Sequence, residues 1–241
     1  MNQTKTVKIP LAGFQPTSLI DYPGGEISSV IFLGGCNFKC GYCHNPTLVT
    51  PPKEWVIMDE VLDKLNSRRK WVNSVVISGG EPLLFSEILK LIEKLKETGY
   101  KVKLDTNGNF PDRLEYLLSK KLIDYIAIDL KTIFSRYYEF SSSKTEKNVK
   151  KTIDLLDNHS FSNYEFRTTL CPIFVSKKEL KEIASYINNT STKWFWQQYK
   201  ADIVLNPAYK KVKPYQKEII IDMQNEIQLL FSGEILLRGI D

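Results

Sequence analysis

Val30-Ile31-Phe32-Leu33-Gly34-Gly35-Cys36-Asn37-Phe38-Lys39-Cys40-Gly41-Tyr42-Cys43-His44-Asn45-Pro46 holds the two signals from which the rest of the chain can be read. Its first four residues are an unbroken apolar run, as expected of a buried strand, and the Gly34-Gly35 pair ends it. Three thiols at spacing C-x3-C-x2-C then lie on the loop leaving the C-terminal end of that strand. Thiolates are soft ligands that suit iron–sulfur clusters or zinc. Three of them can hold three corners of a cubic cluster and leave one iron open to a substrate. A structural zinc site wants four protein ligands in a closed tetrahedron. His44 adjoins Cys43 and could not easily share a metal with it, and Cys171 is far away in sequence. The ligand count favours an open-cornered iron–sulfur cluster, with a zinc knuckle or unliganded thiols as the alternatives.

Outward from this stretch, apolar strand-like runs alternate with helical patterns. Strands are expected over 28–33, 74–78, 101–105, 125–129, 165–170 and 194–199, with helices over 58–69, 86–98, 112–121, 145–157 and 177–188. A last helix over 215–231 precedes a short strand over 234–238. Ser143 with Glu146, Asp112 with Glu115 and Ser176 with Glu179 have capping-box spacing. Gly99 stands where the second helix should stop. Alternation of this kind implies βαβ units and a parallel sheet. Six units are too few for a comfortable eight-stranded barrel. Residues 1–26, with Pro10, Gly13, Pro16, Pro23, Gly24 and Gly25, read as an irregular lead-in, and residues 1–241 as one domain.

The 241 residues, 42% hydrophobic and 25% charged, suffice for a single α/β core. No apolar run approaches the ~20 residues of a membrane span, and the N-terminus lacks the apolar core of a signal peptide. A cytoplasmic protein without a membrane partner is expected. Four cysteines, three of them clustered, fit a reduced compartment and a metal better than a disulfide framework. The net charge of +5 is mild, and Lys210-Lys211-Val212-Lys213 reads as a solvated face and not a nucleic-acid site.

In a parallel barrel, chemistry collects on loops at the C-terminal ends of the strands. The second strand is followed by Gly79-Gly80-Glu81-Pro82, where paired glycines permit a close backbone approach or simply an ordinary turn. The third ends in Asp105-Thr106-Asn107-Gly108 and the fourth in Asp129-Leu130-Lys131. The fifth carries Arg167, which needs an anionic partner if buried: a ligand carboxylate, Glu165 on the same strand face, or an aspartate. Cys171 reads as a buried small hydrophobe. Gln198 is a candidate to face the site, His44 a candidate hydrogen-bonding group near the cluster, and His159 a helix-end or loop residue with no partner in view.

The cysteine loop, with Tyr42 before its third thiol, resembles the signature of the radical S-adenosylmethionine (SAM) enzymes. Its continuation Cys43-His44-Asn45-Pro46 is similar to that of the activating enzymes of glycyl-radical proteins. The resemblance implies a partial (β/α)6 barrel in which Cys36, Cys40 and Cys43 hold a [4Fe-4S] cluster. The open iron is then chelated by SAM, which is cleaved reductively to a 5′-deoxyadenosyl radical. By the same resemblance Gly79, Gly80 and Glu81 meet the SAM amino group, and Lys131 reaches the carboxylate. Asp105 and Asp129 help bind a monovalent cation beside it, and Asn107 and Tyr42 belong to the same surroundings; Arg167, from its own need of an anion, is a candidate contact to the SAM carboxylate. The implied partners are a glycyl-radical enzyme and a one-electron donor such as flavodoxin or ferredoxin. Gly13-Phe14-Gln15-Pro16-Thr17-Ser18-Leu19-Ile20-Asp21-Tyr22-Pro23-Gly24 resembles the opening of small activases that serve anaerobic ribonucleotide reductase; its residues by themselves read as a β-ribbon or loop packed over the barrel bottom. Pyruvate formate-lyase activases and small-molecule enzymes such as deazaguanine synthases are the rivals within the same family.

Overall fold

A computed structural model describes residues 6–141, 144–158, 161–188 and 192–240. Ser143 and His159 lie outside the described residues. In chain order the elements are β1 (Lys8–Ile9), β2 (Leu11–Ser18), β3 (Ser28–Leu33), β4 (Val56–Ile57), α1 (Met58–Asn66), β5 (Ser74–Gly79) and α2 (Glu87–Glu97). Next come β6 (Lys101–Thr106), α3 (Pro111–Ser119), β7 (Tyr125–Asp129), α4 (Thr145–Asn158), β8 (Tyr164–Leu170) and α5 (Lys177–Ile187). The chain continues with β9 (Lys193–Gln198), α6 (Lys217–Gln228) and β10 (Glu234–Arg238). The expected alternation is therefore present, six strand–helix pairs from β3 to α6 and a closing strand. Among the described residues no helix is long and apolar enough to cross a membrane.

The chain forms two compact units. The first takes residues up to Asn37, Thr47–Thr106 and Asp112–Ile126; the second takes Phe38–Pro46, Asn107–Pro111 and the chain from Ala127 onward. In the first unit β3 lies parallel to β5, with Val30 opposite Val76, and β5 parallel to β6, with Val76 opposite Lys103. Alternation sorts these strands into two faces. Ile31, Leu33, Val75, Ile77, Val102 and Leu104 lie on one face, all buried, and α2 buries Ile88, Leu91, Ile92 and Leu95. The other face carries Ser28, Val30, Phe32, Ser74, Val76, Lys103 and Asp105, and there Tyr22 packs with Val30, Val76 and Phe32. A strand face with this many polar residues is fit for polar work and not only for packing.

The lead-in is not irregular throughout. β2 pairs antiparallel with β3, Phe14 opposite Ile31 and Gln15 opposite Val30, with register shifts on either side of Gly13 to Gln15. Proline and glycine read as breakers, yet an edge strand tolerates both, because one side needs no ladder bonds and a bulge absorbs the misfit. At the helix ends, Pro111 takes the first position of α3, where its missing N–H costs nothing, so Asp112 sits in the first turn and is not the cap. The Ser176–Glu179 capping box forms as expected. Gly99 adopts φ +80°, the left-handed conformation that ends α2.

In the second unit β8 is parallel to β9, and β9 to β10. The aromatic β9 is core: Trp194 and Trp196 are fully buried, and the Trp194 indole N–H donates to Thr168 Oγ1 at 2.9 Å.

Candidate active site

The three clustered thiols are divided between the units: Cys36 closes the strand end of the first, and Cys40 and Cys43 belong to the second. None of the four cysteines is in a disulfide; Cys40 is buried, and Cys36 and Cys43 are half-buried. Within neither unit do the described residues gather three or more His, Cys, Asp or Glu side chains into a metal-binding group.

Cys36 is set by backbone bonds. The N–H of Gly34 donates to Pro10 O, that of Gly35 to Leu48 O and that of Cys36 to Val49 O, at 2.8, 2.8 and 3.0 Å. The Gly79-Gly80-Glu81 turn is sewn to the same strand end: Gly80 N–H donates to Leu33 O and Glu81 N–H to Gly35 O, both at 2.8 Å. A Cβ on Gly79 would overlap the Leu33 backbone, and one on Gly80 the Gly35 carbonyl. What these glycines approach closely is thus the neighbouring strand end that carries Cys36. Glu81 is buried; its Oε1 accepts from Leu83 N–H at 2.9 Å, capping the 3-10 turn Pro82–Leu84, and from Thr106 Oγ1 at 2.8 Å.

On β6, Asp105 accepts from Lys103 Nζ at 2.8 Å through one oxygen and from Ser78 Oγ at 3.1 Å through the other. Lys103 escaped the sequence reading. Lys-x-Asp on a strand puts both side chains on one face two residues apart, and that spacing was the available signal.

In the second unit, Cys40 and Cys43 share a tight turn in which Cys43 N–H donates to Cys40 O at 3.0 Å. Tyr42 is buried, its ring edge-on to Phe140 and tilted on Phe174, and its hydroxyl donates to the Lys131 carbonyl at 3.4 Å. The loop is further tied by Lys39 N–H to Phe140 O and by Asn206 N–H to Gly41 O, both 2.9 Å, and Gly41 leaves room for the Tyr209 ring. His44 Nε2 accepts from Lys200 N–H at 3.3 Å, so its proton sits on Nδ1. Burial lowers its pKa, which favours that neutral form. Gln198 is engaged with backbone, donating to Tyr215 O and accepting from Tyr199 N–H.

The charged centre of this unit is Asp129, held by Lys131 Nζ at 2.9 Å and by Arg167 Nε at 2.8 Å, all three half-buried. Arg167 therefore pairs with the aspartate, while Glu165 is matched with Arg238 at 3.4 Å. Burial acts to raise the Asp129 carboxyl, but the adjacent guanidinium and ammonium prevail and hold it well below the usual carboxylate range. Burial likewise opposes charge on Lys131, yet Asp129 keeps its pKa above the ordinary value. With its folded pKa depressed, Asp129 contributes stability that is complete above the unfolded pKa of about 4 and is lost as pH falls below it. Acid titration of unfolding should show this: Asp129→Asn is expected to start less stable at neutral pH and to lose less between about pH 4 and pH 2. Equal acid-limb slopes in parent and variant would refute the assignment. Asn107 is buried, and its Oδ1 accepts from Asn109 N–H at 3.1 Å. Cys171 is fully buried and its thiol is pushed up to about 11, chiefly by burial, as suits an inert core residue.

The sequence profile of the Radical SAM superfamily matches residues 30–187. A protein of Methanocaldococcus jannaschii that bears the provisional name glycyl-radical enzyme activating enzyme is 32% identical over 98% of this chain and 98% of its own. The pyruvate formate-lyase-activating enzyme of Clostridium pasteurianum is 30% identical, over 71% of this chain and 73% of its own. Among solved structures, Streptococcus suis SuiB bound to its precursor peptide SuiA superposes with a TM-score of 0.68 at 17% identity. That match covers 87% of this chain and 48% of SuiB, so the chain spans about half of SuiB. At such identity the fold is what is shared, and it is the partial (β/α)6 barrel type expected from the sequence.

Proposed function

The chain belongs to the radical SAM superfamily, and we propose that it activates a glycyl-radical protein, with anaerobic ribonucleotide reductase as the target. The observation that carries the reading is the end-to-end likeness to a relative named for that activity. The choice of ribonucleotide reductase rests on the phrase from Gly13 to Gly24. In this reading residues 1–241 work as one radical SAM domain in the cytoplasm, with a one-electron donor such as flavodoxin or ferredoxin.

The donor set fits the cluster: three cysteine thiols, none of them in a disulfide, at the spacing C-x3-C-x2-C suit a [4Fe-4S] centre with one open iron. When bound, cluster and SAM supply one-electron cleavage and the hydrogen abstraction from a glycine. The chain's own residues bind and orient. Cys36, Cys40 and Cys43 ligate. Lys131 and Arg167, which converge on Asp129, are the cations placed to meet the SAM carboxylate. The Gly79-Gly80 backbone and Glu81 would meet the SAM amino group, a cation that needs acceptors. Tyr42 and Asn107 hold the surrounding loops.

The test mixes the anaerobically reconstituted protein, SAM and reductant with anaerobic ribonucleotide reductase. A glycyl-radical doublet should appear by EPR, with about one deoxyadenosine formed per radical, the stoichiometry of one hydrogen transfer. A doublet appearing only on pyruvate formate-lyase would move the target to that enzyme. SAM-dependent turnover of a small metabolite such as a deazaguanine precursor, with no radical on any protein, would overturn the activase reading.

A further inference from the structure

The monovalent cation implied by the family resemblance meets a chain whose aspartates already have cations of their own. Asp105 is bound by Lys103, and the two side chains are only 12% and 5% exposed. An ammonium this deeply buried persists only when paired. Both Asp105 oxygens already accept hydrogen bonds, from Lys103 Nζ and from Ser78 Oγ. A bare cation attracts carboxylate oxygens by charge alone, and Lys103 supplies that same charge from a covalently fixed position. Asp129, for its part, faces two cations, Lys131 and Arg167. At neither aspartate does a negative charge remain for an added ion to neutralise, and a further cation would meet an ammonium or a guanidinium within a few ångströms.

We infer that Lys103 is the built-in counter-ion of Asp105, and that this protein binds SAM without a metal cation at its aspartates. Lys103 is then a positioning residue: it fixes the Asp105 carboxylate and touches no reacting atom. The inference rests on the proposed radical SAM function, with Asp105 beside the SAM carboxylate as the family resemblance implies.

The test compares the reconstituted parent protein with Lys103→Met, which keeps the length of the side chain and removes its charge. SAM affinity is measured by equilibrium dialysis in sodium, potassium and tetramethylammonium chloride at one ionic strength. Saturable binding of thallium(I), a spectroscopic stand-in for potassium, is followed by NMR on the same proteins. The parent should bind SAM within about twofold in all three salts and show no saturable thallium binding. Lys103→Met should bind SAM about tenfold more weakly in tetramethylammonium, the effect of one lost charged hydrogen bond. It should recover in sodium or potassium and acquire a thallium site. A parent that needs sodium or potassium, or a parent with a saturable thallium site, overturns the inference. So does a variant that matches the parent in every salt. If the variant does not fold, the parent's salt series and thallium titration decide alone. A parent that binds no SAM in any salt defeats the functional reading instead, and the thallium comparison still judges the counter-ion.

Discussion

Alanine at any one of Cys36, Cys40 or Cys43 is expected to abolish SAM cleavage, a loss on the order of a thousandfold or more, because the difficult chemistry belongs to the cofactor. The same substitution at Cys171 should leave cleavage intact and cost about 1 kcal/mol of stability, the value of a small buried side chain. Surroundings make the contrast. Cys171 is completely buried with its thiol pushed up to about 11, so at neutral pH it is a protonated hydrophobe and offers no ligand. Cys36 and Cys43 are half-buried at loop positions fixed by backbone bonds, and Cys40 shares a turn with Cys43. The measurements are iron and sulfide content, SAM cleavage and alkylation of native thiols. One tightly bound zinc and no iron–sulfur absorbance after reconstitution would return the loop to the zinc alternative. Loss of cleavage in Cys171→Ala without unfolding would show that the fourth thiol is not a bystander.

The elements legible in the sequence were those whose burial writes itself into an apolar run. β3, β7 and β10 fall on the expected residues 28–33, 125–129 and 234–238. β2 was legible only as one of two options, a β-ribbon or a loop, because Gly13 and Pro16 read as breakers until the strand is known to be an edge that pairs on one side. The site was legible as residue types at strand ends. The pairing among them was not, because a single strand tells which residues share a face and not what lies opposite. Arg167 was left between a ligand, Glu165 and an aspartate, and only the neighbouring strand end supplies Asp129. Glu81 could be marked as an acceptor, but its work as the cap of the turn after β5 depends on Leu83 and Thr106 folding back on it. For Gly79 and Gly80 the sequence could say that a backbone comes close, and not that it belongs to the residues just before Cys36.

That close approach sets the second large effect: Gly79→Ala should destabilise the fold by roughly 3 to 5 kcal/mol, well beyond an ordinary glycine replacement. Two costs combine. Gly79 has φ +129°, a region that a residue with a Cβ occupies only under strain of about 1 to 3 kcal/mol. The added Cβ would also overlap the Leu33 backbone, which cannot swing aside because it pairs with β5 along its length. Relief requires β3 and β5 to part, at an overpacking cost of about 1 to 3 kcal/mol. Gly25 provides the control. Its φ of +72° is also left-handed, but a Cβ there meets nothing within 4 Å. Gly25→Ala should therefore show conformational strain alone, about 1 to 2 kcal/mol. Denaturant unfolding of the two variants, read at equal m-value, isolates the overlap. The functional consequence follows from geometry: Leu33 O, three residues before the first thiol, holds Gly80, and Gly35 O, one residue before it, holds Glu81. A displaced turn therefore moves the strand end that sets Cys36, and Gly79→Ala protein that still folds should assemble less iron than the control. If Gly79→Ala is no less stable than Gly25→Ala and takes up iron equally well, the turn after β5 is not tied to the cysteine loop in the way the backbone bonds indicate.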